Sequence, residues 1–333
     1  MIRTPEGEKE AIAPIIVSAS RSTDIPAFHS DWLLHRLEAG YCVWTNPFNQ
    51  KKQYVSFEKA RAFVFWSKNP APMLSKLKEL DRYGFTYYFQ FTLNDYEKEH
   101  LEPCVPPLYE RIETFRKLSQ TLGKSRVIWR YDPILLTDAL SVDEVLKRIH
   151  NIGNKIAPFT EKLVFSFIDI ASYSKVQRNL LKQSIRAREP SRGEMIEFAE
   201  RLSETARTWG LQLATCSEVI DLDRYGIRHN CCIDPELLLR IGKQDRELLS
   251  FLTMRQDILP GMEWNTNLLK DSGQRKACGC AMSKDIGQYN TCPHGCVYCY
   301  ANTSTGIVQR NMLLADELAE SIVGQVDLSD NHF

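Results

Sequence analysis

Short apolar runs alternate with amphipathic stretches as far as residue 216. Residues 14–20 (Pro-Ile-Ile-Val-Ser-Ala-Ser), 62–66 (Ala-Phe-Val-Phe-Trp) and 86–93 (Thr-Tyr-Tyr-Phe-Gln-Phe-Thr-Leu) have the length and apolar density of buried strands, as do 126–131, 162–169 and 211–216. Helical periodicity fills the gaps. Residues 30–39 put Trp32, Leu33 and Leu37 on one face, with Ser30 as cap and Gly40 as stop. A second helix carries Met73, Leu74, Leu77 and Leu80 and closes at Gly84, and a third runs over 107–122 to Gly123. Ser141–Glu144 and Ser191–Glu194 are capping boxes, the second opening a helix that reaches Trp209. Residues 235–255 read as a further helix and 260–277 as a polar connector. Six strand–helix units in strict alternation predict an α/β fold with a parallel sheet.

Length and composition narrow the picture. The chain has 333 residues, 43% hydrophobic, enough for a (β/α) barrel of about 250 residues with extensions. Lys plus Arg and Asp plus Glu number 42 each, so the overall field selects no polyanionic partner. The first ten residues lack an apolar leader core, and no apolar run has the length of a membrane span. Ten cysteines in such a chain read as thiols or metal ligands in a reducing cytoplasm.

The cysteines are unevenly placed. Five lie between Cys278 and Cys299, and three of these, Cys292, Cys296 and Cys299, have the spacing Cys-x3-Cys-x2-Cys. Three soft thiolates on one loop can wrap a metal centre and leave a position open. Cys278 and Cys280 are too close in sequence for an ordinary disulfide but suit a metal. With Cys216 and Cys232 they supply a complete four-thiolate set, for zinc or for an auxiliary cluster. The bland reading makes Cys216 a small core residue and Cys232 an idle thiol. Cys42 and Cys104 read as ordinary core or surface residues, and His294 as a hydrogen-bonding neighbour of the metal loop.

The run Tyr289-Asn-Thr-Cys292-Pro-His-Gly-Cys296-Val-Tyr298-Cys299-Tyr-Ala-Asn302 resembles the cluster loop of radical S-adenosylmethionine enzymes of the spore photoproduct lyase and photolyase-like branch. From about residue 14 to 302 the chain also resembles the bacterial family called domain of unknown function 1848. The first resemblance implies a [4Fe-4S] cluster on Cys292, Cys296 and Cys299, S-adenosylmethionine on its open iron, and Tyr298 against the adenine. It implies a partial (β/α)6 TIM-like barrel over residues 1–255. Residues 256–333 would be a cysteine-rich segment packed on it within one structural unit. Such enzymes carry the loop after their first strand. Here it follows the sheet, so it must fold back over the C-terminal ends of the strands.

Barrel chemistry is built at those ends. The polar residues there are Ser20, Arg21 and Asp24; Ser67, Lys68 and Asn69; Gln90 and Thr92; Arg130 and Asp132; Ser166 and Asp169; Cys216 and Glu218. Ordinary caps and turns account for residues of these types as well. Ser67-Lys68-Asn69 resembles a Thr-Lys-Ser/Asn element of the photolyase-like enzymes. Gln90-Phe-Thr92 with Glu102-Pro103 and Arg111 resembles their Ser-x-Thr strand and Glu-Pro stretch, with Gln90 in place of Ser. The resemblance therefore implies that Ser67, Lys68, Gln90, Thr92, Arg130 and Asp132 surround S-adenosylmethionine, with Lys68 or Arg130 on its carboxylate and Asp132 on a ribose hydroxyl. A basic run from Lys175 to Arg192 would stack Arg178, Lys182 and Arg186 on one helix face, either solvated or meeting phosphates.

Three functions compete at this level. The first is a radical S-adenosylmethionine enzyme acting on a small molecule or nucleic acid, fed electrons by a flavodoxin or ferredoxin, with no membrane partner. The second is a non-catalytic zinc-binding interaction module that uses all five C-terminal cysteines. The third is a metal-dependent hydrolase using Asp24, His29, His35 and Glu218.

Overall fold

The computed structural model describes residues 1–253, 269–271 and 278–324. Most of the connector expected over 260–277 lies outside them, as do residues 254–255 of the helix expected over 235–255 and residues 256–259 and 325–333 of the expected C-terminal segment.

The main sheet has eight strands, here β1 (Ile16–Ala19), β2 (Ala62–Ser67), β3 (Thr86–Thr92), β4 (Val127–Ile134), β5 (Lys162–Phe167), β6 (Gln212–Thr215), β7 (Ile227–His229) and β8 (Lys284–Asp285). Their order is β7-β6-β5-β4-β3-β2-β1-β8, with every pairing parallel. Strands β1 to β7 are thus neighbours in chain order, with no switch point. The sheet is open among the described residues: β7 and β8 form its two edges.

The period-two alternation of each strand sorts two cores. Phe63, Phe65, Tyr87, Phe89, Phe91, Trp129, Leu163, Phe165 and Leu213 face the crossover helices. Ile16, Ala62, Val64, Tyr88, Ile128, Val164 and Ala214 face the opposite way, towards Leu237, Leu238, Leu248 and Leu252 and the thiols of Cys232, Cys278 and Cys280. The first face buries aromatic bulk against helices; the second is where the chain gathers its polar and thiol groups.

Most helices match their sequence signals. Ser30–Ala39 ends at a left-handed Gly40, Leu108–Leu122 at Gly123, and the Ser191 box is complete, with Glu194 reaching back to the cap. Ser141 caps Val142–Ile156 through Glu144 N, but the Glu144 side chain turns to Arg148, so the expected box is only half formed; the cap of 30–39 is His29 and Ser30 is its first residue. The helix expected around Met73 begins as a 3-10 turn, Ala71–Lys76, and is α-helical only over Leu77–Asp81. The segment read as one helix over 235–255 is two, Pro235–Ile241 and Arg246–Thr253, parted at Gly242. The expected stack of Arg178, Lys182 and Arg186 does not form. The helix Ser174–Lys182 stops short of Arg186, Ser184 takes a positive φ, and Arg188 pairs with Leu136.

Two β elements carry no clear pattern in the sequence. One is a small sheet of Ala11–Ile12, Lys52–Ser56 and Tyr41–Thr45; the other is a hairpin of Ile2–Thr4 and Gly7–Lys9. After the helix Thr305–Leu313, the chain returns to the helix Ser30–Ala39. There Trp32 Nε1 donates to Ala319 O at 3.0 Å and Arg36 to Leu318 O at 2.8 Å.

Helices 142–156 and 192–209 meet at Gly153, where an added Cβ would fall 2.2 Å from the Trp209 ring. The indole is held by a 2.9 Å hydrogen bond to Asn154 Oδ1. Gly153→Ala is expected to lower stability by about 1–3 kcal/mol through overpacking. Urea denaturation checks this; an unchanged midpoint would mean that Trp209 swings clear.

Candidate metal centre

The cysteine loop reaches the strand ends through β8. Because β8 runs parallel to β1, with Lys284 opposite Val17 and Asp285 opposite Ser18, the residues after it emerge at the C-terminal edge of the sheet. Asp285 fixes this junction by accepting hydrogen bonds from Ser18 Oγ (2.8 Å), Arg21 N (2.8 Å) and Gly287 N (2.9 Å). Gly287 then passes so close that a Cβ would lie 1.8 Å from Ser20 Oγ, which only glycine allows. The loop next crosses the β3–β4 connection: Cys104 N donates to His294 O at 3.1 Å and Val297 N to Leu101 O at 2.9 Å.

Two buried carboxylates hold the loop down. Glu102 accepts from Lys68 Nζ at 2.7 Å, from Asn94 Nδ2 at 3.0 Å and from the Tyr298 hydroxyl, with Arg111 Nη1 at 3.7 Å. Lys68 Nζ and Asn94 Nδ2 also donate to the Tyr298 hydroxyl, at 3.0 and 3.2 Å. Burial pushes the Glu102 carboxyl up, but Lys68 and Arg111 outweigh it and bring it down to about 2. Burial pulls Lys68 down, yet Glu102 and the Cys296 sulfur hold it above its usual value. Asp24 caps the turn Ile25–Phe28 through Ala27 N (3.0 Å), accepts from Lys68 N (2.7 Å) and meets His294 Nε2 at 2.8 Å. Burial raises the Asp24 carboxyl, and the His294, Lys68 and Ser67 donors together overcome this and lower it.

Cys292, Cys296 and Cys299 lie half-buried under this frame. Burial pushes the Cys292 thiol up to about 12 and raises Cys296 and Cys299 as well. Main-chain N–H groups are already turned towards the sulfurs, from Asp24 and His294 to Cys292 and from Ala301 and Asn302 to Cys299. Lys68 is the cation beside Cys296. The loop thus holds thiols that are costly to ionise alone, surrounded by groups that stabilise them once ionised.

The other cysteines meet on the inner face. Cys216, just past β6, and Cys232 have sulfurs 3.3 Å apart. Cys232 and Cys280 are in thiol contact, and so are Cys280 and Cys278. Cys232 N and Ile233 N donate to the Cys280 sulfur at 3.1 and 3.4 Å. Arg130 Nη1 donates to the Cys232 sulfur at 3.1 Å and to Gln90 Oε1 at 3.3 Å, and its other edge pairs with Asp132. The contacts run as a chain, 216–232–280–278. Among the described residues, no three His, Cys, Asp or Glu side chains already stand at metal-ligand spacing.

The model of the family described as Domain of unknown function (DUF1848) matches residues 16–301. The chain belongs to the DUF1848 family. The matched span opens on β1 and closes just past Cys299, so it takes in both thiol groups and the strands that carry them. No curated protein and no solved structure matches the chain.

Within this DUF1848 fold the sequence candidates fall into separate places. Ser67, Lys68 and Tyr298 gather at the three-thiol loop, whereas Gln90, Arg130 and Asp132 gather at the second thiol group. Thr92 stands opposite Arg130 in register, and Ser166 hydroxyl donates to Asp132. The proposed hydrolase residues are engaged one by one. His29 meets Thr291 O at 2.9 Å, His35 meets Glu317 O at 3.2 Å, Asp24 is taken by His294, and Glu218 accepts from Phe167 N at 2.8 Å. Cys42 is a buried core thiol and Cys104 is exposed. Asn94 and Asp285 escaped the sequence reading. Asn94 carries a signal that could have found it, a polar amide one residue past an eight-residue apolar run. Among the described residues no helix is long and apolar enough to cross a membrane.

Proposed function

We propose that this DUF1848 protein is a radical S-adenosylmethionine enzyme. The observation that carries this is the path of the Cys292–Cys299 loop across the C-terminal ends of β2 and β3, where Tyr298 meets Lys68 and Asn94 and His294 meets Asp24. The consecutive strand order β1 to β6 supports the reading of the sheet as an incomplete (β/α)6 barrel. The donor set suits the group: three soft thiols, N–H donors aimed at their sulfurs, and a lysine beside them.

With S-adenosylmethionine, a [4Fe-4S] cluster supplies one-electron reductive cleavage, yielding a 5′-deoxyadenosyl radical that abstracts hydrogen from substrate. Cys292, Cys296 and Cys299 would hold three irons, each losing its proton on binding. Lys68, the cation next to Cys296, would offset thiolate charge. The methionine carboxylate would pair with Lys68, which also meets Glu102, or with Arg130, which also meets Asp132, Gln90 and Cys232. Tyr298 would lie along the adenine. Electrons would come from a small reductant such as a flavodoxin or ferredoxin. The zinc-module alternative needs all five C-terminal cysteines as zinc ligands, and a closed structural site needs four ligands. Against it stands the group of Cys292, Cys296 and Cys299, which lies apart from Cys278 and Cys280, beside Asp24 and Lys68, and supplies only three thiols.

Anaerobically reconstituted protein is expected to hold about four irons in this cluster and to release 5′-deoxyadenosine from S-adenosylmethionine when reduced. The Cys292→Ala, Cys296→Ala, Cys299→Ala triple variant should do neither. A wild-type protein that takes up zinc alone and releases no 5′-deoxyadenosine would remove this reading.

A further inference from the structure

We propose that Cys216, Cys232, Cys278 and Cys280 bind a single zinc ion that staples the cysteine-rich segment to the inner face of the sheet. Size decides between one ion and a cluster. Four sulfurs about 2.3 Å from one zinc lie about 3.8 Å from each other. Around a cubane they would stand roughly 6–7 Å apart. The 3.3 Å between the sulfurs of Cys216 and Cys232 is near the smaller figure, and the Cys280 sulfur lies 3.1 Å from Cys232 N on the same side. Rotation of the side chains between staggered wells is the motion that closes these thiols into a tetrahedron.

An independent observation asks for negative charge at the same place. Arg21 stands over the Trp66 ring at 4.9 Å, beside Cys280, Asp285, Cys232 and Cys278, and although Asp285 is near, its Nη2 is buried with no hydrogen-bond partner among the described residues. A buried guanidinium nitrogen without an acceptor is costly. Four thiolates on a divalent ion carry a net charge of −2, with their four protons released to solvent, and Arg21 and Arg130 flank that charge. The N–H groups of Cys232 and Ile233 that donate to Cys280 serve the same end. Cys231 belongs outside the set: it packs on Gly279, where a Cβ would lie 2.7 Å from its sulfur. The ion would tie the end of β6 and the 230–233 turn to the segment that enters β8, and so hold the loop carrying Cys292–Cys299 in register.

The test uses the full chain with Cys292, Cys296 and Cys299 all changed to alanine, so that its outcome does not depend on the radical reading. One zinc per chain is expected, with four sulfurs near 2.3 Å by zinc-edge X-ray absorption. Cobalt(II) in its place should give the intense visible bands of a tetrahedral tetrathiolate. Adding Cys280→Ser should abolish zinc retention, and adding Cys231→Ser should leave it. If Cys280→Ser fails to fold, the absorption spectrum of the parent variant still decides. Retention of four irons with sulfide, nitrogen or oxygen in the zinc shell, four freely titrating thiols without zinc, or a Cys216–Cys232 disulfide would each overturn the proposal.

Discussion

Glu102→Gln is expected to destabilise the protein by about 3–5 kcal/mol, because it leaves two buried cations without their counter-charge. Lys68 and Arg111 both approach Glu102, whose side chain is only 3% exposed. The amide keeps the shape and some of the hydrogen bonds, so the loss reads charge and not volume. Guanidinium denaturation measures it; a loss under about 1 kcal/mol would show that solvent or another anion satisfies the pair. The wild type should also carry an acid limb that the variant lacks. The carboxyl titrates near 4.5 when unfolded and near 2 when folded. Its contribution is therefore whole above pH 4.5 and is lost as pH falls towards 2. It amounts to on the order of 3 kcal/mol. Glu102→Gln should flatten that limb.

Asp24→Ala is expected to be almost as costly and to act on one place. It removes the acceptor of Ala27 N, Lys68 N and the His294 ring together, three bonds that join the turn after β1, the end of β2 and the cysteine loop. A loss of about 3 kcal/mol or more is expected, since buried donors are left unsatisfied. The loop should then open locally, so limited proteolysis should cut between residues 288 and 302 well before it cuts the sheet. His294→Gln removes one of the three bonds and should fall between wild type and Asp24→Ala. Equal cleavage rates at the loop and within the sheet would mean that Asp24 serves global stability and does not clamp the loop.

The parts legible in the sequence were those in which one physical signal acts alone. β1 to β6 announce themselves by apolar density, and Ser141 and Ser191 by capping chemistry that reaches only three residues. β8 is invisible because two residues, Lys284 and Asp285, have no pattern, and their strand exists only because β1 offers an edge. The small sheet of residues 11–56 depends likewise on partners distant in sequence. At the site, residue types were readable but groupings were not. Lys68 follows β2 and Arg130 lies within β4 opposite the last residue of β3, yet Glu102 draws one to the three-thiol loop and Cys232 draws the other to the second group. That choice is made by side chains from other loops, which no local spacing encodes.

The order of the chain sets an order of assembly. Domains form from the N-terminal side while synthesis proceeds at roughly 5–20 residues per second. β1 to β7 are complete by residue 229, but the residue that covers the outer side of β1 and the hydroxyl that meets Glu102 come at 285 and 298. For several seconds on the ribosome, at those rates, a nascent sheet would present an unpaired edge and a buried carboxylate network missing one member. A metal delivered in that interval would find Cys216 and Cys232 but not the thiols of 292–299. A metal taken up by the three-thiol loop as proposed would therefore enter only after residue 299 is made, later than Cys216 and Cys232 become available.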